Sequence, residues 1–129
     1  MRISILTVLG CSLLLCLSAS AQSQQEMNAE ARKDFKTADA QLNAVYKKVV
    51  GSLPDEKAVE LLRKSQRAWL TFRDAEAASY ADAMRGGSAA PLLFYGQQTQ
   101  LTRSRIKQLR EYLELYLSLI HISEPTRPY

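Results

Sequence analysis

Ser65-Gln66-Arg67-Ala68-Trp69-Leu70-Thr71-Phe72-Arg73-Asp74-Ala75-Glu76 carries the sole tryptophan of the chain beside two arginines and two carboxylates. Leu62, Ser65, Trp69, Phe72 and Glu76 recur at steps of three and four, a spacing that sets them on one helix face. Arg67, Arg73 and Asp74 fall beside that stripe. There the long cationic stems can cover apolar surface while their guanidinium groups reach carboxylates on a neighbouring helix. The rest of the chain is expected to pack around this segment.

Working outward toward the N-terminus, Met27, Ala31, Phe35, Ala38, Leu42, Val45 and Val49 follow steps of four and three and give a long amphipathic helix. Asp39, Asn43 and Tyr46 form a polar row beside its apolar stripe, facing the arginines. Gly51 suits a C-cap. Ser52-Leu53-Pro54-Asp55 then reads as a new helix start, with Ser52 as N-cap, Pro54 in the first turn and Asp55 at the capping-box position. No breaker follows before Arg85, which predicts one helix of about 30 residues.

Gly86-Gly87-Ser88-Ala89-Ala90-Pro91 ends that helix and opens a third, with Ser88 as its N-cap. Leu92, Tyr95, Thr99, Thr102, Ile106, Leu109, Leu113 and Tyr116 continue at helical spacing, and Gln97, Gln98 and Gln100 are expected to face water. Alternating strand patterns and internal repeats are absent. The expectation is an all-α fold, an antiparallel three-helix bundle with helices near 25–50, 54–85 and 89–116 and a core centred on Trp69, Phe72, Phe35, Leu42 and Ile106. A polar cross-brace, Arg67 or Arg73 with Asp39, Asp74 or Glu76, should span it.

Both ends fall outside this domain. Arg2, the apolar run Ile3 to Leu17 and Ala19-Ser20-Ala21 have the order of a secretory signal, with cleavage before Gln22. Residues 1–21 are thus a signal peptide, too short for a comfortable membrane span, and the protein is expected to be exported to the periplasm or medium rather than to be integral to the membrane. A lipoprotein cut at Cys11 would leave a very short apolar run. Leu117 to Arg127 reads like the translation of a sequencing-adapter end, so 117–129 is expected to be a non-native tail and 22–116 the domain. Removing Arg2 and Arg127 from 17 cations and Glu124 from 13 anions leaves 15 against 12, a net charge of +3. So mild an excess on a mixed surface gives no footprint for nucleic acid.

Cys11 and Cys16 both lie in the signal, and His121 lies in the tail, so 22–116 has neither thiol nor imidazole. This removes thiol catalysis, Ser-His-acid triads and the usual zinc ligand sets. Asp39, Asp74 and Glu76 remain as paired carboxylates, but each has a cation in reach, and ion pairing is the commoner use of such groups. No enzymatic activity, cofactor or metal is expected.

Trp69 to Glu76, read with Ala38-Asp39-Ala40-Gln41-Leu42-Asn43-Ala44-Val45-Tyr46, Gly86-Gly87-Ser88 and Leu101-Thr102-Arg103-Ser104-Arg105, resembles the lysozyme-inhibitor LprI-like family. These are small secreted bacterial helical domains, first described as a domain of unknown function, and the resemblance runs from about Gln25 to Leu113. Many members carry cysteines near the positions of Glu30, Ala77 and Gln97, so this chain resembles a cysteine-free branch. The matched positions Asp39, Leu42, Asn43, Tyr46, Arg67, Trp69, Phe72, Arg73, Asp74, Leu101, Thr102 and Arg103 are expected to be structural.

The resemblance implies a non-enzymatic inhibitor of a lysozyme-type muramidase. The alternative is a helical cell-envelope module that binds another protein, a peptide or a wall component. Animal lysozymes are commonly basic, so a charge of +3 does not steer the domain toward them, and inhibition requires local complementarity. Met84-Arg85-Gly86-Gly87-Ser88 is the candidate inhibitory element, with Arg85 the cation suited to an acidic cleft.

Overall fold

A computed structural model describes residues 6–123, with side chains from 19 to 122. It contains three long helices, α1 (Leu6–Ser52), α2 (Glu56–Ala81) and α3 (Ala90–Ser123), with a 3-10 turn over Asp82–Met84. α2 runs antiparallel to the other two. α3 packs along α1 and against α2, whereas α1 and α2 meet chiefly through side chains, so α3 rather than α2 is the central helix.

The apolar stripe of α1 is buried at Ala38, Leu42, Val45 and Val49 and frays outward through Phe35 and Ala31 to the exposed Met27. Leu42, Val45 and Val49 meet Leu62 of α2 and Ile106 and Leu109 of α3, and Tyr46, Val50, Leu53, Trp69 and Leu113 pack against this cluster. Leu42 and Ile106 therefore lie in the expected core, with Phe35 and Trp69 half-buried at its edge. Phe72 does not, because it is 51% exposed.

The buried face of α2 is Leu62, Gln66, Arg73, Ala77 and Ala81. It is displaced by one position from the Ser65, Phe72 and Glu76 row expected from apolar spacing, a turn of about 100° about the helix axis. Ser65, Phe72 and Glu76 face outward. The reason is that polar groups across the interface satisfy Gln66 and Arg73, as described below. Gln98 is likewise buried rather than solvated, with its Nε2 bonded to Asp74 and its Oε1 left without a partner among the described residues, while Gln97 is half-buried and Gln100 exposed.

The turn chemistry also differs in detail from the reading of the sequence. α1 continues through Gly51, which keeps a right-handed conformation, and ends where Ser52 Oγ donates to Val49 O at 2.8 Å and Leu53 N donates to Val50 O at 3.3 Å. Pro54 disfavours helical geometry at Leu53, so the stop needs no left-handed glycine. Asp55, not Ser52, caps α2: its Oδ1 accepts from Ala58 N at 2.8 Å with extended backbone. At the other end Gly86 has φ +75°, and Gly87 N donates to Met84 O at 2.9 Å. With Arg85 at φ −51°, ψ 126°, this matches a type II turn, which favours glycine at its third residue.

The proposed signal, residues 1–21, falls mainly on residues whose side chains lie outside those described. No helix among the described residues is long and apolar enough to cross a membrane. α3 carries on past Tyr116, with Leu117, Leu119, Ile120 and Ile122 exposed; residues 124–129 lie outside those described. Deleting Leu117 to Tyr129 is expected to leave thermal unfolding cooperative and the Tm within a few degrees, since exposed apolar side chains contribute little to a core. A broad, non-cooperative melt by circular dichroism would place this segment in the fold.

Candidate functional site

Two features of the bundle carry polar chemistry: a layer buried between the helices and a turn exposed at one end. The layer begins with Arg73, 6% exposed on the inner face of α2. Its Nη1 donates to Asp39 Oδ1 of α1 at 2.9 Å, and its Nε donates to Asp74 Oδ1 at 2.9 Å. A longer bond of 3.5 Å runs from Nη1 to Thr102 Oγ1 of α3, and Gln98 Nε2 donates to the same Asp74 oxygen at 2.9 Å. The guanidinium also lies 5.0 Å from the Phe35 ring centroid and 5.3 Å from that of Trp69. One side chain thus joins all three helices through charge, hydrogen bonds and ring contact.

One helical turn further along α3, Arg105 is buried at 7% exposure and lies 5.9 Å from the Trp69 ring centroid. Its Nε donates to Gln66 Oε1 at 3.0 Å, Nη1 to Gln108 Oε1 at 3.1 Å and Nη2 to Ser65 Oγ at 3.3 Å. Burial lowers its pKa, with a partial offset from nearby Tyr112. Trp69 therefore sits with a guanidinium from each of two helices near its ring, which explains its position at the rim of the apolar cluster rather than in its centre.

The layer draws Asp39, Trp69, Arg73, Asp74 and Thr102 together from the residues that carry the family resemblance. Leu42 enters the apolar core, Tyr46 packs against it, and Leu101 is half-buried. Asn43, Arg67, Phe72 and Arg103 are exposed. Arg103 lines a groove between α1 and α3 with Glu30 and Asp34, and Glu76 takes no part in the brace. Gln66, Gln98 and Arg105 were missed as members of the layer. The signal for the latter two was positional: Gln98, Thr102, Arg105 and Leu109 keep steps of four and three, and all are buried. Residue type argues the other way, since Gln and Arg usually face water.

The exposed feature is the turn between α2 and α3. Arg85 has an 80% exposed side chain, and its Nε and Nη2 donate to Asp82 Oδ1 and Oδ2 at 2.7 Å each. This fork raises the Arg85 pKa. Gly87 is held close to the turn, for a Cβ there would lie 3.1 Å from Met84 O. Asn28 Nδ2 of α1 donates to Ser88 O at 2.9 Å, which ties the turn to the body of the bundle. Met84, Arg85, Gly86, Gly87 and Ser88 are all exposed. Among the described residues no group of His, Cys, Asp and Glu is arranged to hold a metal ion.

A family model for lysozyme inhibitor LprI matches residues 16–109. An uncharacterized protein of Rhizobium meliloti (strain 1021) is 35% identical over 127 residues, covering 80% of this chain and 91% of that protein. The uncharacterized protein YecT of Escherichia coli (strain K12) is 40% identical over 55 residues, 35% of this chain and 34% of its own length. No solved structure matches. The family match takes in the Asp39 to Tyr46 row, the Trp69 to Glu76 segment and the α3 stripe as far as Leu109, and the chain belongs to the LprI lysozyme-inhibitor family.

Proposed function

We propose that this protein is exported and inhibits a lysozyme-type muramidase by binding it, without doing chemistry, and that the Met84–Ser88 turn enters the enzyme's cleft. The observation that carries the contact is a highly exposed arginine on a backbone that is itself tied down. Gly86 sets the turn, and the Asn28 bond anchors it. A muramidase presents two carboxylates to its substrate, and a guanidinium projecting from an ordered turn suits that acidic groove. Little ordering entropy is then lost on binding.

Arg85 is pre-shaped by its fork to Asp82, whose carboxylate must be exchanged for one of the target's. The charge that the turn offers is therefore partly neutralised in the free protein. Asp82→Ala should strengthen inhibition, whereas Arg85→Ala should weaken it about thirtyfold, the roughly 2 kcal/mol of a hot-spot arginine. The test is clearance of bacterial wall suspensions by a panel of lysozymes with added protein. Undiminished lysis across the panel at micromolar protein rejects inhibition, and inhibition that survives Arg85→Ala rejects only the turn as its contact.

A second reading, a helical envelope module that binds a protein, peptide or wall component, is favoured by the outward face of α2. Leu61 is 61% and Phe72 51% exposed there. On this reading Phe72→Ser abolishes capture of the partner and Arg85→Ala leaves it unchanged.

A further inference from the structure

Arg105 and Arg73 are buried alike, but only Arg73 is neutralised, by Asp39 and Asp74. The three acceptors around Arg105, on Gln66, Gln108 and Ser65, are uncharged, and Arg105 takes part in no ion pair among the described residues. A guanidinium has five N–H groups, so one on each terminal nitrogen remains without a protein acceptor. Trp69 offers its π face, yet shares it with Arg73. A buried cation so placed calls for an anion.

Space for one is present. Arg105 lines an open groove along α3 with Gln108, Glu111, Tyr112 and Leu115. Tyr112 is 40% and Leu115 54% exposed at its rim, so apolar surface lies beside the charge. We propose that this groove binds the C-terminal carboxylate of a peptide, with Arg105 receiving the carboxylate and Tyr112 and Leu115 contacting the terminal side chain. A single guanidinium with two spare donors matches a planar monoanion. A phosphate dianion would instead bring excess negative charge beside Glu111.

Trp69, the sole tryptophan, lies against Arg105 and reports on it. The experiment titrates the full chain with N-acetyl-D-alanine, N-acetyl-L-alanine, their carboxamides and inorganic phosphate while following Trp69 fluorescence. The expected result is a saturable change with a carboxylate, at least tenfold tighter than with its amide. Preference for the D form assigns the ligand to wall peptides, and preference for the L form to protein C-termini.

Leu115→Glu adds a negative charge at the exposed rim and should weaken binding at least tenfold with the Tm unchanged. Arg105→Lys keeps the charge but loses the planar fork, and should weaken binding at least fivefold. Equal response to acid and amide, absence of saturation, or phosphate binding as tight as the carboxylate and indifferent to Leu115→Glu overturns the proposal. No muramidase enters these measurements, so their outcome is separate from that of the inhibition assay.

Discussion

Arg73→Ala is expected to lower the Tm by about 10–20 °C, while Arg110→Ala, on an exposed position of α3, changes it by no more than about 2 °C. The large effect arises from what remains after the guanidinium is removed. Asp39 and Asp74 lose their common counter-ion, Thr102 and Gln98 lose the ordering of the layer, and the rings of Phe35 and Trp69 lose the cation between them.

Breaking a fully buried ion pair costs about 3–5 kcal/mol, whereas an exposed pair is worth about 0–1 kcal/mol. The side chains of Asp39 and Asp74 are 37% and 56% exposed, so water can rehydrate both once Arg73 is gone. That places the expected loss between the two limits, at about 2–4 kcal/mol. Thermal melts of the two variants decide the matter. Equal, small shifts would mean that Arg73 does not brace the helices. A double-mutant cycle with Asp39→Ala isolates the α1–α2 term, for which a coupling near zero would assign the loss to packing of the arginine stem instead.

Leu109→Ala is expected to cost about 2–5 kcal/mol, because Leu109 is completely buried among the apolar side chains of all three helices and rigid neighbours can only partly refill the space. Phe72→Ala removes a larger side chain yet should cost less than about 1 kcal/mol, since half of that ring is already in water. The comparison tests the register of α2 directly. If the inner face carried Ser65, Phe72 and Glu76, Phe72→Ala would cost about 3–5 kcal/mol, and its midpoint in chemical denaturation would fall about as far as that of Leu109→Ala.

The sequence was legible wherever a local rule decides the outcome. Steps of three and four from Met27 to Val49 and from Leu92 to Leu113 are enough to specify helices, because each position's face depends only on its spacing. Pro54 and the Gly86-Gly87 pair mark the turns, and with so few residues between helices the chain must reverse direction. The row Asp39, Arg73 and Asp74 was visible as a set of complementary charges, and the quoted stretches were sufficient for the family resemblance. The exposed Arg85 turn was visible too, although its fork to Asp82 was not.

By itself, then, the sequence determined three helices, their order, the turns between them and the residue types available to a polar brace. Only the tertiary structure decided which face of α2 is inside and which helix is central. Long polar side chains are indifferent to burial until their partners are known: Arg105 Nε donates to Gln66 Oε1 across the interface, and Gln98 and Arg73 both donate to Asp74. Part of the desolvation is offset by hydrogen bonds to groups 24 and 39 residues away in the chain. No window of spacing contains both halves of such a pair, so the rule that sent Phe72 inward and Gln98 outward failed at the positions where partners on another helix reverse it.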